Sequence, residues 1–405
     1  MATKPAPVLS DKKTKSIIGL LLLVVPIMGF AIDLIAPSLP AITQDLHVSA
    51  SLVGELISFY VLGYGLGNFL TGFLSDAWGR KSLLRFSLLA FVLISLLPIL
   101  FPSIHILLVV RFFQGMALGA VAVLIRAIFS DIVPPENLVR LGTLMGTMFG
   151  LGPVLGPVIG GYLQFYLGWE AGFYFLSGMA FLSWIFIFIM IPETHFSRHP
   201  LAIKTIRKNL GEVLSHRFFM ALVFLMGLSY SLIIVFQTMG PFFIQATLNK
   251  SPIFFGHLAL GLGSSFLLST FVCRFFLKRA SADRLFFVVT HLFLALSLIA
   301  SILSLIFPHS LLLLTLISVA MFFFCGFMFP LSMGKGMSLF RHISGTATAS
   351  MYLVNMAITS LSSFLVSFIH AKTVFPILVI YSVLLLITLG IYWRRIRPAI
   401  YIQET

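Results

Sequence analysis

The stretch "GFLSDAWGRKSLL", residues 72–84, sets Asp76, Arg80 and Lys81 between two long apolar runs. Each flanking run holds about 20 residues, enough for a helix to cross a bilayer core of about 30 Å. Runs of that kind recur along all 405 residues, which are 59% hydrophobic and only 9% charged. A soluble domain carries roughly a quarter charged residues, so the composition is that of an integral membrane protein. The period-2 alternation of a membrane barrel is absent, which leaves a bundle of helices. The first run, from Ile17, lacks a small-residue cleavage site and reads as a retained helix.

Apolar runs between turn signals predict twelve helices, at about 17–39, 51–73, 82–101, 104–131, 138–165, 170–191, 217–244, 253–273, 285–306, 310–334, 342–370 and 373–393. With a cytoplasmic N-terminus, the cytoplasmic segments hold 22 of the 26 Lys and Arg residues. So steep a bias follows the positive-inside rule and puts both termini in the cytoplasm. Topology then accounts for the net charge of +14, and no nucleic-acid partner is expected. The longest polar interruption, residues 192–216, is basic and partly amphipathic and reads as a linker on the cytoplasmic membrane surface. It divides the chain into a tail (1–16), a six-helix half (17–191), a second six-helix half (217–393) and a second tail (394–405). The halves echo each other in "LFPSIHILL" and "IFPHSLLLL", whose prolines are Pro102 and Pro308. Two like halves around a central site are a recurring transporter architecture. The two cysteines, Cys273 and Cys325, have no metal-ligand spacing and read as small buried hydrophobes; no metal site is expected.

Several motifs resemble the major facilitator superfamily. In residues 72–84 a Gly is followed by an Asp four residues on and then by Gly-Arg-Lys, like the superfamily's signature loop, with Ala77 where a basic residue is usual. The resemblance implies a cytoplasmic latch between the halves built from Gly72, Asp76, Gly79, Arg80 and Lys81, with Arg80 reaching Asp131 on helix 4. "LLVVRFFQGMALGA", residues 107–120, is similar to the superfamily's helix-4 motif. "GPVLGPVIGG", residues 152–161, resembles the antiporter motif of drug exporters through Gly152, Pro153, Gly156, Pro157 and Gly160. Small residues at this spacing, with a second ladder at Gly142, Gly146 and Gly150, let helix backbones approach closely, and the prolines kink the helix. "DLIAPSLPAI", "SFYVLGYGLGNFLTGFLSDAWGR" and "SGTATASMY" narrow the resemblance to the Bcr/CflA (bicyclomycin-resistance) subfamily, with Asn68 where Gln is commoner. This implies a monomeric, cofactor-free antiporter of the bacterial inner membrane, which exchanges protons for small molecules by alternating access.

Ionisable residues inside spans are functional candidates by default. Here they are Asp33, Glu55, Arg111, Arg126, His257 and His291. Asp33 and Arg111 lie at matching depths of about 9–10 Å below the outer edge, so they could pair across helices 1 and 4. Pro37 stands one turn beyond Asp33 and leaves the residue-33 carbonyl without its helical partner. Glu55 is either a second cavity carboxylate or a solvated helix start, and Arg126 either snorkels or pairs with Asp131. The second half has no membrane carboxylate, so proton coupling through a carboxylate falls to Asp33 and then Glu55. A static Asp33–Arg111 bridge is the structural alternative. Tyr60, Tyr64, Asn68, Gln114, Tyr230, Gln237, Tyr352 and Asn355 are the candidate cavity residues, among 43 Phe and 16 Met that suit loosely specified lipophilic ligands. No phosphate-cradling loop or catalytic cluster is present, so a gradient drives transport and no enzyme activity is expected. Export of lipophilic compounds in exchange for protons is the leading reading. The alternatives are uptake of a nutrient with protons and export of an endogenous metabolite such as a siderophore.

Overall fold

Four helices begin at a serine whose hydroxyl accepts a backbone N–H three residues on: Ser49 from Leu52, Ser251 from Phe254, Ser281 from Arg284 and Ser310 from Leu313. Such caps satisfy N–H groups that a helix start leaves open. Two tight corners are made by glycines in the left-handed region, Gly79 (φ 91°) and Gly168 (φ 88°), a conformation that penalises a side chain.

The computed structural model describes residues 11–194 and 203–398. Among these, twelve helices are long and apolar enough to cross a membrane. They are α1 (Asp11–Asp33), α2 (Ala50–Trp78), α3 (Arg80–Leu100), α4 (Ile104–Ile132), α5 (Pro135–Leu167) and α6 (Glu170–Met190), then α7 (Arg217–Pro241), α8 (Pro252–Leu277), α9 (Ala282–Ile306), α10 (Leu311–Leu339), α11 (Ser344–Ser367) and α12 (Phe375–Ile391). The two sets of six pair their helices in the same way: α1 on α5, α2 on α4 and α3 on α6 are matched by α7 on α11, α8 on α10 and α9 on α12. The halves meet along two seams, α2 on α11 and α5 on α8.

Glycine sets the closest approaches. A methyl group on Gly63, Gly67, Gly115 or Gly119 would strike a carbonyl of the facing helix in the α2–α4 pair, so these helices touch backbone to backbone. Helix α5 is wedged between the halves. Its Gly152, Gly156 and Gly160 lie on α1, while the carbonyls of Pro153 and Pro157 lie on Gly263 and Gly256 of α8. The first ladder behaves differently: Gly142 and Gly146 have nothing within 4 Å, and only Gly150 meets a neighbour, Leu267. The expectation of close packing along both ladders is therefore corrected, because α5 is free of close neighbours at Gly142 and Gly146.

Helix 1 departs from the expected 17–39. It ends at Asp33, passes through a 3-10 turn at Ala36–Ser38 and resumes at Leu39–Asp45. Pro37 has no N–H to offer the Asp33 carbonyl, so the regular helix stops there. Helix α7 instead runs through to Pro241 and continues directly as a π-helical turn at Phe242–Thr247. Between the halves, Ile203–Ser215 is a helix whose Val213 is buried against Phe219 and Phe340, so the linker docks on the second half. The tails, residues 1–10 and 399–405, and residues 195–202 of the linker lie outside the described residues.

Candidate functional site

Asp33 sits at the break in α1, 1% exposed. Its Oδ1 accepts a hydrogen bond from Gln237 Nε2 of α7, 3.0 Å away in the other half. Gly156 of α5 leaves room for it, since an added methyl there would lie 3.1 Å from the Asp33 Cβ. One turn farther, Gln245 Nε2 donates to the Pro37 carbonyl at 3.0 Å. Two glutamines of the second half thus hold the broken end of helix 1.

Arg111 is fully buried, but a bridge to Asp33 does not form within 4 Å; two of its donors are used inside its own half. Nε donates to the Leu56 carbonyl (3.3 Å) and Nη1 to Gln114 Oε1 (3.1 Å). Gln114 Nε2 in turn donates to Ser95 Oγ at 2.8 Å. The guanidinium also lies 4.2 Å over the Tyr60 ring, a cation–π contact. The direction each side chain takes around its helix sends Arg111 to α2 and Asp33 to α7.

The remaining cavity candidates are mostly buried. Tyr60, Tyr64, Asn68, Gln114, Tyr230, Gln237 and Asn355 are buried, and Tyr352 is half-buried. Tyr60 and Tyr64 both turn to Met28, Tyr60 through its carbonyl (3.4 Å) and Tyr64 through its sulfur (3.9 Å). Tyr230 packs on Phe329 at 5.9 Å between ring centres. Arg126 lies 4.5 Å over the Tyr352 ring across the seam, and not on Asp131 as one expectation had it. Asn68 and Asn355 have both side-chain polar atoms buried without a protein partner, as do Gln237 Oε1 and Arg111 Nη2. Buried polar groups are ordinarily satisfied, so unpartnered donors and acceptors here are positions for a polar ligand or for water. Glu55 stands in the second turn of α2, half-buried, rather than at the solvated helix start.

At the end of the molecule that carries the linker, Arg80 organises residues 72–84. Its Nε is 3.3 Å from Asp131 Oδ2, Nη1 donates to Ser75 Oγ at 2.6 Å, and its backbone N–H donates to Glu193 Oε1 at 3.0 Å. Thr194 Oγ1 donates to the same Asp131 oxygen at 2.9 Å. Gly79 matters here because a methyl group would meet the Glu193 carboxylate. A methyl group added at Gly72 would lie 3.7 Å from Ala349 of α11, at the seam, and Lys81 is half-buried; the side chain of Asp76 lies outside the described residues. Glu193 and Thr194 were missed in sequence, where "PET" after α6 reads only as the start of the linker. Removing Arg80 leaves Asp131 without its cation, a loss of about 1–3 kcal/mol for a partly buried charge-assisted bond. Arg80→Ala is therefore expected to lower the Tm in detergent by several degrees. Arg80→Lys should recover only part of it, since lysine lacks the fork that reaches Asp131 and Ser75 together.

A family model, Major Facilitator Superfamily, matches residues 21–363. An uncharacterized MFS-type transporter of Bacillus subtilis is 30% identical over 269 residues, covering 64% of this chain and 67% of that protein. A bicyclomycin resistance protein homolog of Haemophilus influenzae is 24% identical over 213 residues, covering 52% and 54%. The alignable part thus spans about half to two thirds of these relatives. The xylose transporter from E. coli, solved in a partially occluded inward open conformation, superimposes with a TM-score of 0.73 at 14% identity, covering 95% of this chain and 98% of that one. With twelve spans in two matching halves and a family match over most of its length, the chain belongs to the Major Facilitator Superfamily, a family of membrane transporters and not of enzymes.

Proposed function

We propose that the protein exports small lipophilic compounds or metabolites in exchange for protons. It would work as a monomer in the bacterial inner membrane, with its linker end in the cytoplasm. The observation that carries this reading is Asp33: a carboxyl group buried at the contact between the halves, at a helix break, with no arginine or lysine within 4 Å among the described residues. An ionised carboxylate in such a place is costly unless something neutralises it. A proton or a cationic substrate can do so, one at a time, which makes the two compete and links their movements in opposite directions. Neighbours are suited to lipophilic ligands, since Tyr60, Tyr64 and Tyr230 supply apolar bodies with polar tips. The Haemophilus influenzae relative is named for resistance to bicyclomycin, which agrees with export. The steep basic bias of the linker end supports a cytoplasmic orientation.

The test uses purified protein in proteoliposomes with ethidium, a lipophilic cation, and a panel of neutral antibiotics as probes. Protons are expected to move opposite to the transported probe, and an imposed proton gradient should accumulate it. Movement of proton and probe in the same direction would overturn export in favour of uptake.

A further inference from the structure

Asp33 and Gln237 are related by more than their hydrogen bond. They are 204 residues apart, and so are Pro37 and Pro241, each one turn beyond. "DLIAP" and "QTMGP" therefore occupy matching places in the two halves, the first at the break of α1 and the second in the last turn of α7 before its π-helical continuation. The internal repeat brings an acid and its amide counterpart face to face where the halves meet.

We infer that Gln237 is a positioning residue that reads the proton on Asp33 and converts it into closure of the end opposite the linker. This rests on the proton-coupling role proposed for Asp33. The chemistry is a matter of donors and acceptors. An ionised carboxylate can only accept, so it takes one bond from Gln237 Nε2 and leaves Gln237 Oε1 unpartnered, the arrangement seen here. A carboxylic acid can also donate. When a proton arrives on the second carboxylate oxygen, that O–H donates to Gln237 Oε1 while Nε2 keeps its bond to Oδ1, giving a closed acid–amide pair. No other atom changes bonding, and the proton departs when the pair is opened to the linker side.

The pair can act as a clasp because of what lies beyond it. Gln245 holds the Pro37 carbonyl on the same two helix ends, so tightening at Asp33 is applied where the regular α-helix already stops at a proline. Arg111 from α4 is the charged side chain facing Asp33, and Tyr60 from α2 and Tyr230 from α7 are the titratable ones; α5 presents Gly156. Arg111 is held by Leu56, Gln114 and Tyr60, and its remaining Nη2 makes no bond to Asp33, so it supplies a field and not a competing bond. A proton loaded from the side opposite the linker would close that side behind it, the order an exchanger needs.

Spin labels at Gln44→Cys and Lys250→Cys, both exposed at the end opposite the linker, report closure by their separation. Acidification is expected to raise the closed-to-open ratio about tenfold, the worth of one added buried hydrogen bond. Gln237→Met, of similar length and unable to pair, should lose that response; Gln237→Asn should keep part of it; Asp33→Asn should stay closed at every pH. Infrared difference spectra between acid and alkaline pH supply an independent readout. A protonated-carboxyl band that disappears in Asp33→Asn should persist in Gln237→Met but move to the frequency of an unbonded acid. If no such band titrates in the unsubstituted protein, the role of Asp33 itself fails. If the band titrates and Gln237→Met changes neither its frequency nor the pH response of the label distance, only the clasp fails.

Discussion

Asp33→Asn is expected to abolish proton movement driven by a transported neutral antibiotic in proteoliposomes, a loss of at least a hundredfold, while binding of that antibiotic to the protein persists. Asparagine has the same shape as aspartate but carries no exchangeable charge. Its amide can both accept from Gln237 Nε2 and donate to Gln237 Oε1, so the local bonding survives. Stability should change by no more than about 1 kcal/mol, because no buried group loses its partner. Loss of coupling with retained binding would separate a proton-carrying role from a packing role, since a carboxylate that only held helices together would leave coupling intact. Persisting proton movement in this variant would sink the assignment. Glu55, half-buried and a turn inside α2, would then be the next carboxyl group to test.

Gly115→Val is expected to prevent assembly of a stable protein, seen as loss of the monodisperse peak in detergent and of a cooperative thermal transition. The new Cβ would fall on the Tyr60 carbonyl oxygen of α2, and on this seam the obstacle is backbone, not a side chain that can turn away. Overpacking in a core costs typically about 1–3 kcal/mol when side chains can adjust. Here α2 and α4 would have to separate along their length, because Gly63, Gly67 and Gly119 make the same contact. Parting them would also displace Tyr60 from under Arg111. Against a total stability of about 5–15 kcal/mol, that is enough to unfold the bundle. Gly142→Ala is the matched control: nothing lies within 4 Å of that glycine, and alanine favours a helix by about 1 kcal/mol over glycine. A Gly115→Val protein as stable as the Gly142→Ala protein would rule out the backbone contact.

Much of the architecture was legible because hydrophobicity and length are local properties. The twelve spans, the linker and the matched halves follow from runs of apolar residues and from where the basic residues fall, whatever the helices later touch. Proline is equally local: Pro37 deprives the Asp33 carbonyl of its partner in any context, and the helix does stop at Asp33. The pattern that would have pointed to Gln237 was also present, an Asp and a Gln each followed four residues on by Pro at the same offset in the two halves. It is short, and without contacts nothing distinguishes it from chance.

Position along a helix follows from sequence at 1.5 Å per residue; the direction of a side chain around its helix does not, because that depends on which neighbours each helix acquires. Counting residues puts Asp33 and Arg111 at one level, yet the glycine contacts of α2 with α4 turn Arg111 onto Tyr60 and Leu56, while α5 and α7 enclose Asp33. The same limit separates the glycine ladders of α5. Both have the spacing for close approach, but only the one facing α1 and α8 meets a backbone, since nothing approaches Gly142 and Gly146. The sequence by itself determined a twelve-helix membrane protein with a carboxyl group at a helix break. Tertiary packing alone decided that this group answers to a glutamine in the other half, because facing is a property of pairs of helices and not of either chain segment.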